Sequence, residues 1–325
     1  VFSVDFDAFD WERMVMHWKR KAMIQNVIAH LPAVVSYNAY YILQRTCGGL
    51  RRSNPTSRLR AGVEIVDRIR ATGASVEGKT FFEVGTGRAL AVPMALWLCG
   101  ADQIITADLN PYLTARLVNG DIAYLKQNAP QVIELFGEHG KTALFAERFE
   151  KLANFSRDAT SLLRLLGVTY LAPADAASVD LPDDSIDYHV SFTVLEHIPP
   201  NIIVSILKEG KRLLRSNGLF VHCIDFTDHF SHSDPSISAV NFLQFSEQQW
   251  DRYAGNRYMY QNRLRVDEFS DLIEQSGVKA LDLDVDLNRH SLSLLSEGSL
   301  KLDPRFRDKS PETNAASAAW LLGAA

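Results

Sequence analysis

Apolar residues change their spacing several times along this chain, and each change marks a different kind of element. Leu59, Val63, Val66 and Ile69 recur every three or four positions, which places them on one face of a helix that Gly73 ends. Two more helices are expected before it. One covers 11–30 with Asp10 as its cap; the other covers 34–45, after Leu31-Pro32 and before the stop at Gly48-Gly49. Beyond residue 75 the pattern switches to short apolar runs separated by helical stretches. Strands are expected near 80–84, 104–108, 168–172, 186–192 and 219–224, an alternation that predicts a parallel sheet with helices on both faces.

Two stretches are too long for plain crossovers. Almost sixty residues separate the second and third strands, and Phe145, Phe149, Leu152 and Phe155 keep a helical rhythm there. An inserted helical pair is therefore expected within about 111–167. After the fifth strand, Asn241-Phe242-Leu243-Gln244-Phe245-Ser246 and Trp250 suggest a lid of one or two short amphipathic helices within about 225–265. Asn217-Gly218 should turn the preceding helix into that strand. Past Gly277, Ala280-Leu281-Asp282-Leu283-Asp284-Val285 alternates as a strand does. A last antiparallel strand fits 315–322, with 287–312 as an exposed excursion.

Composition narrows the partners. The 325 residues are 46% hydrophobic and 22% charged, the balance of a globular protein. A formal charge of -5 disfavours a nucleic-acid partner, which normally requires a basic excess. Cys47, Cys99 and Cys223 are odd in number, widely spaced and set among apolar residues. They read as reduced core residues of a cytoplasmic protein, without the C-x-x-C pair of a zinc site. The acidic, aromatic first residues do not suggest a leader peptide. No integral membrane segment is expected either, since His30, Pro32 and Asn38 interrupt the apolar stretch at 24–43.

The chemistry concentrates where strands end. Phe81-Phe82-Glu83-Val84-Gly85-Thr86-Gly87 reads as a buried strand breaking into a glycine turn, and Ile104-Ile105-Thr106-Ala107-Asp108 as a second strand ending in an acid. That pair is the arrangement that holds a nucleoside at the switch point of a doubly wound sheet. A dinucleotide loop would need Gly or Ala where Leu90 stands, and Glu83 would repel a pyrophosphate while suiting an ammonium and a sulfonium. Asp187 reads as a strand-end acid paired with a lysine. Glu196 and His197 either touch ligand or form a network at a helix start. Arg88 is a surface ion-pair partner or a clamp for a ligand carboxylate at a helix N-terminus.

After the fifth strand comes Asp225-Phe226-Thr227-Asp228-His229-Phe230-Ser231-His232-Ser233-Asp234. Three readings stand open for it: a general base, a metal site drawn from Asp225, His229, His232 and Asp234, or a polar loop folded by Asp and Ser turns. Arg263 and Arg265 share a face if their segment is extended and could clamp a carboxylate or phosphate. Alternatively they pair with Asp267 and Glu268.

These motifs, in this order, resemble class I S-adenosylmethionine-dependent methyltransferases over roughly 76–286. The resemblance rests on the acid-x-Gly-x-Gly turn at 83–87, Asp108, Pro173-Ala174-Asp175-Ala176, and Val194-Leu195-Glu196-His197-Ile198 after the fourth strand. The 228–234 loop and Tyr260-Gln261-Asn262-Arg263-Leu264-Arg265 further resemble a bacterial subfamily. The family implies a doubly wound, seven-stranded Rossmann-like α/β sheet. It also implies an N-terminal helical cap (1–75) and a catalytic domain (76–325) with a lid inserted after strand five. S-adenosylmethionine is the implied cofactor, bound by Glu83, Gly85, Thr86, Gly87, Asp108, Asp175, Ala176 and Thr193. The implied acceptor is a small molecule, a hydroxyl on a sugar or specialised metabolite, contacted by Asn262, Arg263 and Arg265. His229 is the preferred base, with Asp225 and His232 beside it. Aminopropyl transfer, decarboxylation or cyclisation on the same frame, or a non-catalytic partner subunit, are the competing readings.

Overall fold

The computed structural model describes residues 16–51, 53–156 and 158–325. Three helices lead: α1 (Trp18–Ala29), α2 (Ala33–Thr46) and α3 (Thr56–Ala71). The expected Asp10 cap and the first residues of its helix, 11–15, lie outside the described residues. The alternating part opens with β1 (Thr80–Val84), α4 (Ala91–Leu98) and β2 (Gln103–Ala107). Between β2 and the next strand run α5 (Ala115–Gln127), α6 (Ala129–Leu135), α7 (Ala143–Ala153) and α8 (Ala159–Leu165), so the insertion is larger than the expected pair. Its purpose in the fold is cover: Phe136, Phe145, Phe149 and Leu152 share one core with Leu96 and Trp97 of α4. Arg148 of α7 lies against the Trp97 ring, its guanidinium carbon 4.9 Å from the centroid, and donates to the carbonyls of Trp97 in α4 and Ala101 just past it.

The rest of the sheet is β3 (Val168–Leu171), β4 (Ile186–Phe192), α9 (Pro200–Leu213) and β5 (Leu214–Asp225). After β5 come α10 (Glu247–Ala254), α11 (Val266–Ser276), β6 (Lys279–Leu287), α12 (Arg289–Ser296), α13 (Pro304–Arg307), α14 (Pro311–Ala315) and β7 (Ala316–Ala324). The seven strands lie in the order β3-β2-β1-β4-β5-β7-β6, the first five parallel and β7 antiparallel to both its neighbours. β1 sits inside because both its faces are apolar. Phe81 packs into the core that contains α3 and α4, and Phe82 into the core that contains α9 and α11. The chain steps outward from β1 through β2 to β3 and then returns to β4 on the other side of β1. That reversal opens a crevice beyond the carboxyl ends of β1 and β4.

Three expectations need correction. β5 starts directly after α9, and Asn217-Gly218 falls at a register shift within the strand instead of forming a separate turn. The 287–312 segment is not merely an exposed excursion: Phe306 of α13 is fully buried in a cluster with Trp18, Phe230, Phe242 and Trp250. That cluster ties the first helix, the lid and the C-terminal segment together. Cys47 is exposed, whereas Cys99 and Cys223 are buried, and all three are free thiols. Asp187 does meet Lys79, at 3.1 Å, and also takes Arg215 at 2.7 Å and the Thr80 amide at 2.9 Å. Among the described residues no helix is long and apolar enough to cross a membrane.

The sheet contains a buried imidazole pair. His189 Nδ1 lies 3.1 Å from His222 Nε2, and His222 Nδ1 lies 2.7 Å from Ser191 Oγ, with His189 stacked on Phe82. Burial drives the His189 pKa down to about 3 and holds His222 far below its ordinary value, so both stay neutral in the fold. The unfolded chain protonates them below about pH 6.5, so their contribution to stability is full above that pH and is lost as pH falls toward the folded value. Buried Glu83 and Asp228, whose pKa values are raised, titrate with the opposite sign, so the informative measurement is a difference. Urea unfolding of wild type and His189→Leu at pH 7 and pH 5 should shift their stability difference by on the order of 2 kcal/mol in favour of the variant at pH 5. An unchanged difference would show that His189 does not carry this dependence.

Candidate active site

Glu83 is the fourth residue of β1, and the pairing of β1 with β2 places it beside Thr106. Its carboxyl is buried and accepts from Thr106 Oγ1 at 2.6 Å, while Thr86 Oγ1 lies 2.5 Å from the same hydroxyl. Burial pushes Glu83 up to about 8 against the pull of Thr106. A cation bound nearby would draw it back toward the ionised form. The turn itself needs glycine. Gly85 has φ +82°, and a Cβ there would fall 2.6 Å from a Val194 methyl. Gly87 has φ +61°, and a Cβ there would meet no described atom within 4 Å, so this side of the turn is open.

Asp108 closes the turn. One carboxylate oxygen accepts the Gly87 amide at 2.8 Å and the other accepts the Asn110 amide at 2.9 Å. Burial raises its pKa, with those two amides working against the rise. Each oxygen keeps a second lone pair that can take a hydroxyl donor. The Ala174 amide bonds the Asp108 carbonyl at 2.8 Å, which draws the loop after β3 to the same place. In that loop Asp175 is exposed, accepting the Ala177 amide at 2.9 Å, and Ala176 is buried. Thr193, past the end of β4, has φ +50° and donates its amide to the Cys223 carbonyl at 2.9 Å. Backbone in this region is costly for a β-branched residue and gathers at functional sites. These residues offer what a nucleoside with an attached cationic amino-acid tail requires: an open glycine turn, a carboxylate for ribose and a buried acid. Among the described residues Arg88 forms no ion pair, and its guanidinium lies against aromatic rings instead. Its guanidinium carbon lies 4.6 Å from the Tyr112 ring centre and 5.6 Å from that of Tyr41 on α2. Tyr37 of α2 donates to the Asn110 side chain at 3.1 Å, so two aromatic residues that the sequence reading passed over bring the cap to the turn.

A second group gathers beyond β4 and β5. Asp225, the last residue of β5, is buried, and its Oδ1 accepts the amide and hydroxyl of Thr227 at 2.7 and 2.6 Å. Its Oδ2 lies 3.2 Å from His229 Nε2 and 3.9 Å from His232 Nε2. Burial alone would raise Asp225, but the two imidazoles and the Thr227 hydroxyl hold it below the usual carboxylate range. The rings of His229 and His232 stack with centres 5.0 Å apart, and the His197 ring stands edge-on to His229 at 4.8 Å. Glu196, beside His197 in a short helical turn after β4, is buried, and its pKa lies well above the ordinary value through burial and the nearby Asp225 charge. Sequence reading left this pair's role open. Their neighbourhood with His229 arises from the pairing of β4 with β5, which no local motif announces.

The other residues named from the sequence lie elsewhere or are spent on the framework. Asp234 accepts the Trp18 amide at 2.7 Å and the Ser236 amide at 3.0 Å; it anchors α1 and does not join the histidines. Asn262 donates to the carbonyls of Leu195 and Ile198 at 2.9 and 3.0 Å. Gln261 donates to the Thr227 carbonyl at 2.9 Å and accepts the His229 amide at 3.3 Å. Together these two side chains hold the turn after β4 in register with the loop after β5. Arg263 and Arg265 are both buried and do not form an open clamp. Arg263 donates to the carbonyls of Phe242 and Phe245 and pairs with Glu247 at 2.5 Å. Arg265 donates to the carbonyls of Phe226, Asn314 and Ala316 at 2.8, 2.9 and 2.6 Å. Asp267 and Glu268 instead meet Lys309 and Arg305. A separate depression of about 270 Å³ lies between the 235–244 segment and His290, Leu294 and Leu300, and none of the acids or histidines above lines it.

Residues 82–222 match the model of a family described as a methyltransferase domain. Among solved structures, an S-adenosylmethionine-dependent methyltransferase from Mesorhizobium loti is 12% identical, covering 80% of this chain and 96% of its own, with a TM-score of 0.41. One from Methanosarcina mazei is 12% identical, covering 79% of this chain and 96% of its own, with a TM-score of 0.41. None of the curated proteins matches the sequence at a significant level.

The role of Arg265 is open to a direct check. Arg265→Met should cost on the order of 3 kcal/mol in urea unfolding, because it leaves three buried carbonyls without a donor. An acceptor clamp would instead leave unfolding unchanged and raise KM.

Proposed function

We propose that this chain is a class I S-adenosylmethionine-dependent methyltransferase that methylates a hydroxyl of a small molecule, a sugar or specialised metabolite, a reading supported by the match of residues 82–222 to a methyltransferase domain. The observation that carries this reading is the placement of two functional groups on one crevice. The glycine turn and Asp108 stand at the ends of β1 and β2, and Asp225 with its imidazoles stands at the end of β5. Glu83, Gly85, Thr86, Gly87 and Asp108 would hold S-adenosylmethionine, with Asp175, Ala176 and Thr193 at the rim. When bound, that cofactor supplies an activated methyl group on its sulfonium.

The chain's own residues then orient the acceptor and receive its proton. Asp225 Oδ2 faces His229 Nε2 at 3.2 Å, close enough for its charge to hold the ring although the pair does not meet hydrogen-bond geometry, which leaves Nδ1 as the nitrogen that can accept a hydroxyl proton. His232, the second imidazole on the same carboxylate, borders that position. Alignment of the attacking oxygen contributes most of the acceleration, since transfer of a methyl from a sulfonium needs little covalent assistance. The formal charge of -5 supports a small-molecule acceptor over a nucleic acid, and the free thiols support a cytoplasmic setting.

Calorimetry with S-adenosylmethionine should show binding that Asp108→Asn weakens at least about tenfold, the loss of a charge-assisted bond to ribose. Absence of binding to wild type would sink the proposal. With a panel of hydroxylated acceptors, His229→Ala should lower kcat by roughly 10²–10⁴ while leaving cofactor affinity unchanged. Release of S-adenosylhomocysteine identifies methyl transfer; a different cofactor product would redirect the reading to another reaction on the same frame.

A further inference from the structure

Glu196 is 3% exposed, and among the described residues neither of its carboxylate oxygens has a hydrogen-bond partner. An unpaired buried carboxyl is expensive, and a second buried carboxyl, Asp225, lies close enough to raise its pKa. Backbone amides of Glu196 and Asp225 offset the cost only in part, and the side chains around it are groups that ligate metals. One coordinating atom each from Glu196, His197 and His229 can be chosen within 4.8 Å of the others. His197 is oriented by a bond of 2.8 Å between its Nδ1 and the Tyr260 carbonyl, which leaves Nε2 as the nitrogen able to coordinate. His229 Nε2 faces the Asp225 carboxylate at 3.2 Å, an electrostatic contact outside hydrogen-bond geometry. A histidine fixed through its other nitrogen by a carbonyl or a carboxylate is the usual support of a metal ligand.

From this geometry we propose that Glu196, His197 and His229 bind a divalent first-row transition-metal cation. Two imidazoles and a carboxylate suit Mn²⁺, Fe²⁺, Co²⁺ or Zn²⁺ and are a poor match for Mg²⁺, which prefers oxygen ligands. In a bound site, ligand atoms stand about 3–3.5 Å apart, so the three side chains must draw in by roughly 1 Å. Three protein ligands leave coordination positions open for the acceptor. This role rests on the methyltransferase reading; cation binding itself does not. With the ion bound, His229 is a ligand and the role of base passes from it to His232, the other imidazole beside Asp225: a hydroxyl coordinated there loses its proton more readily, and His232 can take it.

The test uses the whole chain, stripped with a chelator, dialysed and titrated calorimetrically with MnCl₂ and ZnCl₂. One ion per chain should bind, with Mg²⁺ at least about tenfold weaker. Glu196→Gln, which keeps the shape and removes the charge, should weaken Mn²⁺ by about 10–100-fold while S-adenosylmethionine binds as in wild type. His197→Asn, at an exposed position, gives the same comparison if the Gln variant fails to fold. Added Mn²⁺ should raise the melting temperature of wild type and not of either variant. No binding of Mn²⁺ or Zn²⁺ at millimolar concentration, or binding unchanged in both variants, overturns the site. If the cofactor still binds in that case, the methyltransferase reading stands alone. Metal binding without cofactor binding would mean the opposite.

Discussion

A carboxylate taken out of water must find donors or a cation, and this requirement shapes the whole working edge of the sheet. Asp108 takes two backbone amides, and those bonds set the course of the chain after both β1 and β2. Asp225 takes an amide, a hydroxyl and the approach of two imidazoles, and the loop after β5 is wrapped around it. Asp228, also buried, takes the Phe230 amide and the Asn241 side chain, which joins that loop to the lid. Where the donors are complete, the carboxylate is architecture. Glu83 has one hydroxyl donor and Glu196 has none among the described residues, so these two mark where the protein's own hydrogen bonding stops short.

The arginines of the lid obey the same rule from the donor side. A guanidinium carries five N–H groups in a fixed fork, so one residue can satisfy several carbonyls of irregular backbone at once. Arg265 does this for the end of β5 and the start of β7, and Arg263 for the turn at Phe242–Phe245. Irregular segments of this kind cannot meet their own backbone needs as helices and strands do. The lid is therefore held by charge placed in the core, with aromatic rings around it: the Arg263 guanidinium lies 5.8 Å from Trp250 and 5.5 Å from Phe306. Trp18 enters the same cluster from α1, so the cap, lid and C-terminal segment share one support.

This explains which parts of the molecule could be read in the sequence. The glycine turn, Asp108 and the strands around them are legible because their partners are either adjacent in the chain or in the neighbouring strand of a regular pattern. Asp234 is not legible as an anchor because closeness in sequence to His229 does not imply closeness in space, and the loop turns it toward Trp18. Arg263 and Arg265 escape notice for the reverse reason. Their acceptors are carbonyls, which every residue has, so no side-chain pattern marks them. Glu196 and His197 precede His229 by more than thirty residues, and only the pairing of β4 with β5 brings them together. The insertion and the 287–312 segment were legible as non-strand. The number of helices and the burial of Phe306 depend on surfaces contributed from elsewhere.

The two halves of the crevice thus differ in how their specificity is built. In the proposed reading the cofactor half rests on short local signals, because a turn plus one acid can recognise a constant ligand. The proposed acceptor half is assembled from a turn after β4, a loop after β5 and the Gln261-Asn262 pair that holds them in register. Any change in loop length or path there alters which side chains meet, while the sheet beneath stays the same. A fold can therefore keep its chemistry while its acceptor changes, since the reaction belongs to the strands and the choice of substrate to the loops they carry. On the proposed reading that division runs in this chain between Asp108 and Asp225, two acids at the ends of parallel strands, one bonded by backbone amides of the glycine turn and the other beside two imidazoles.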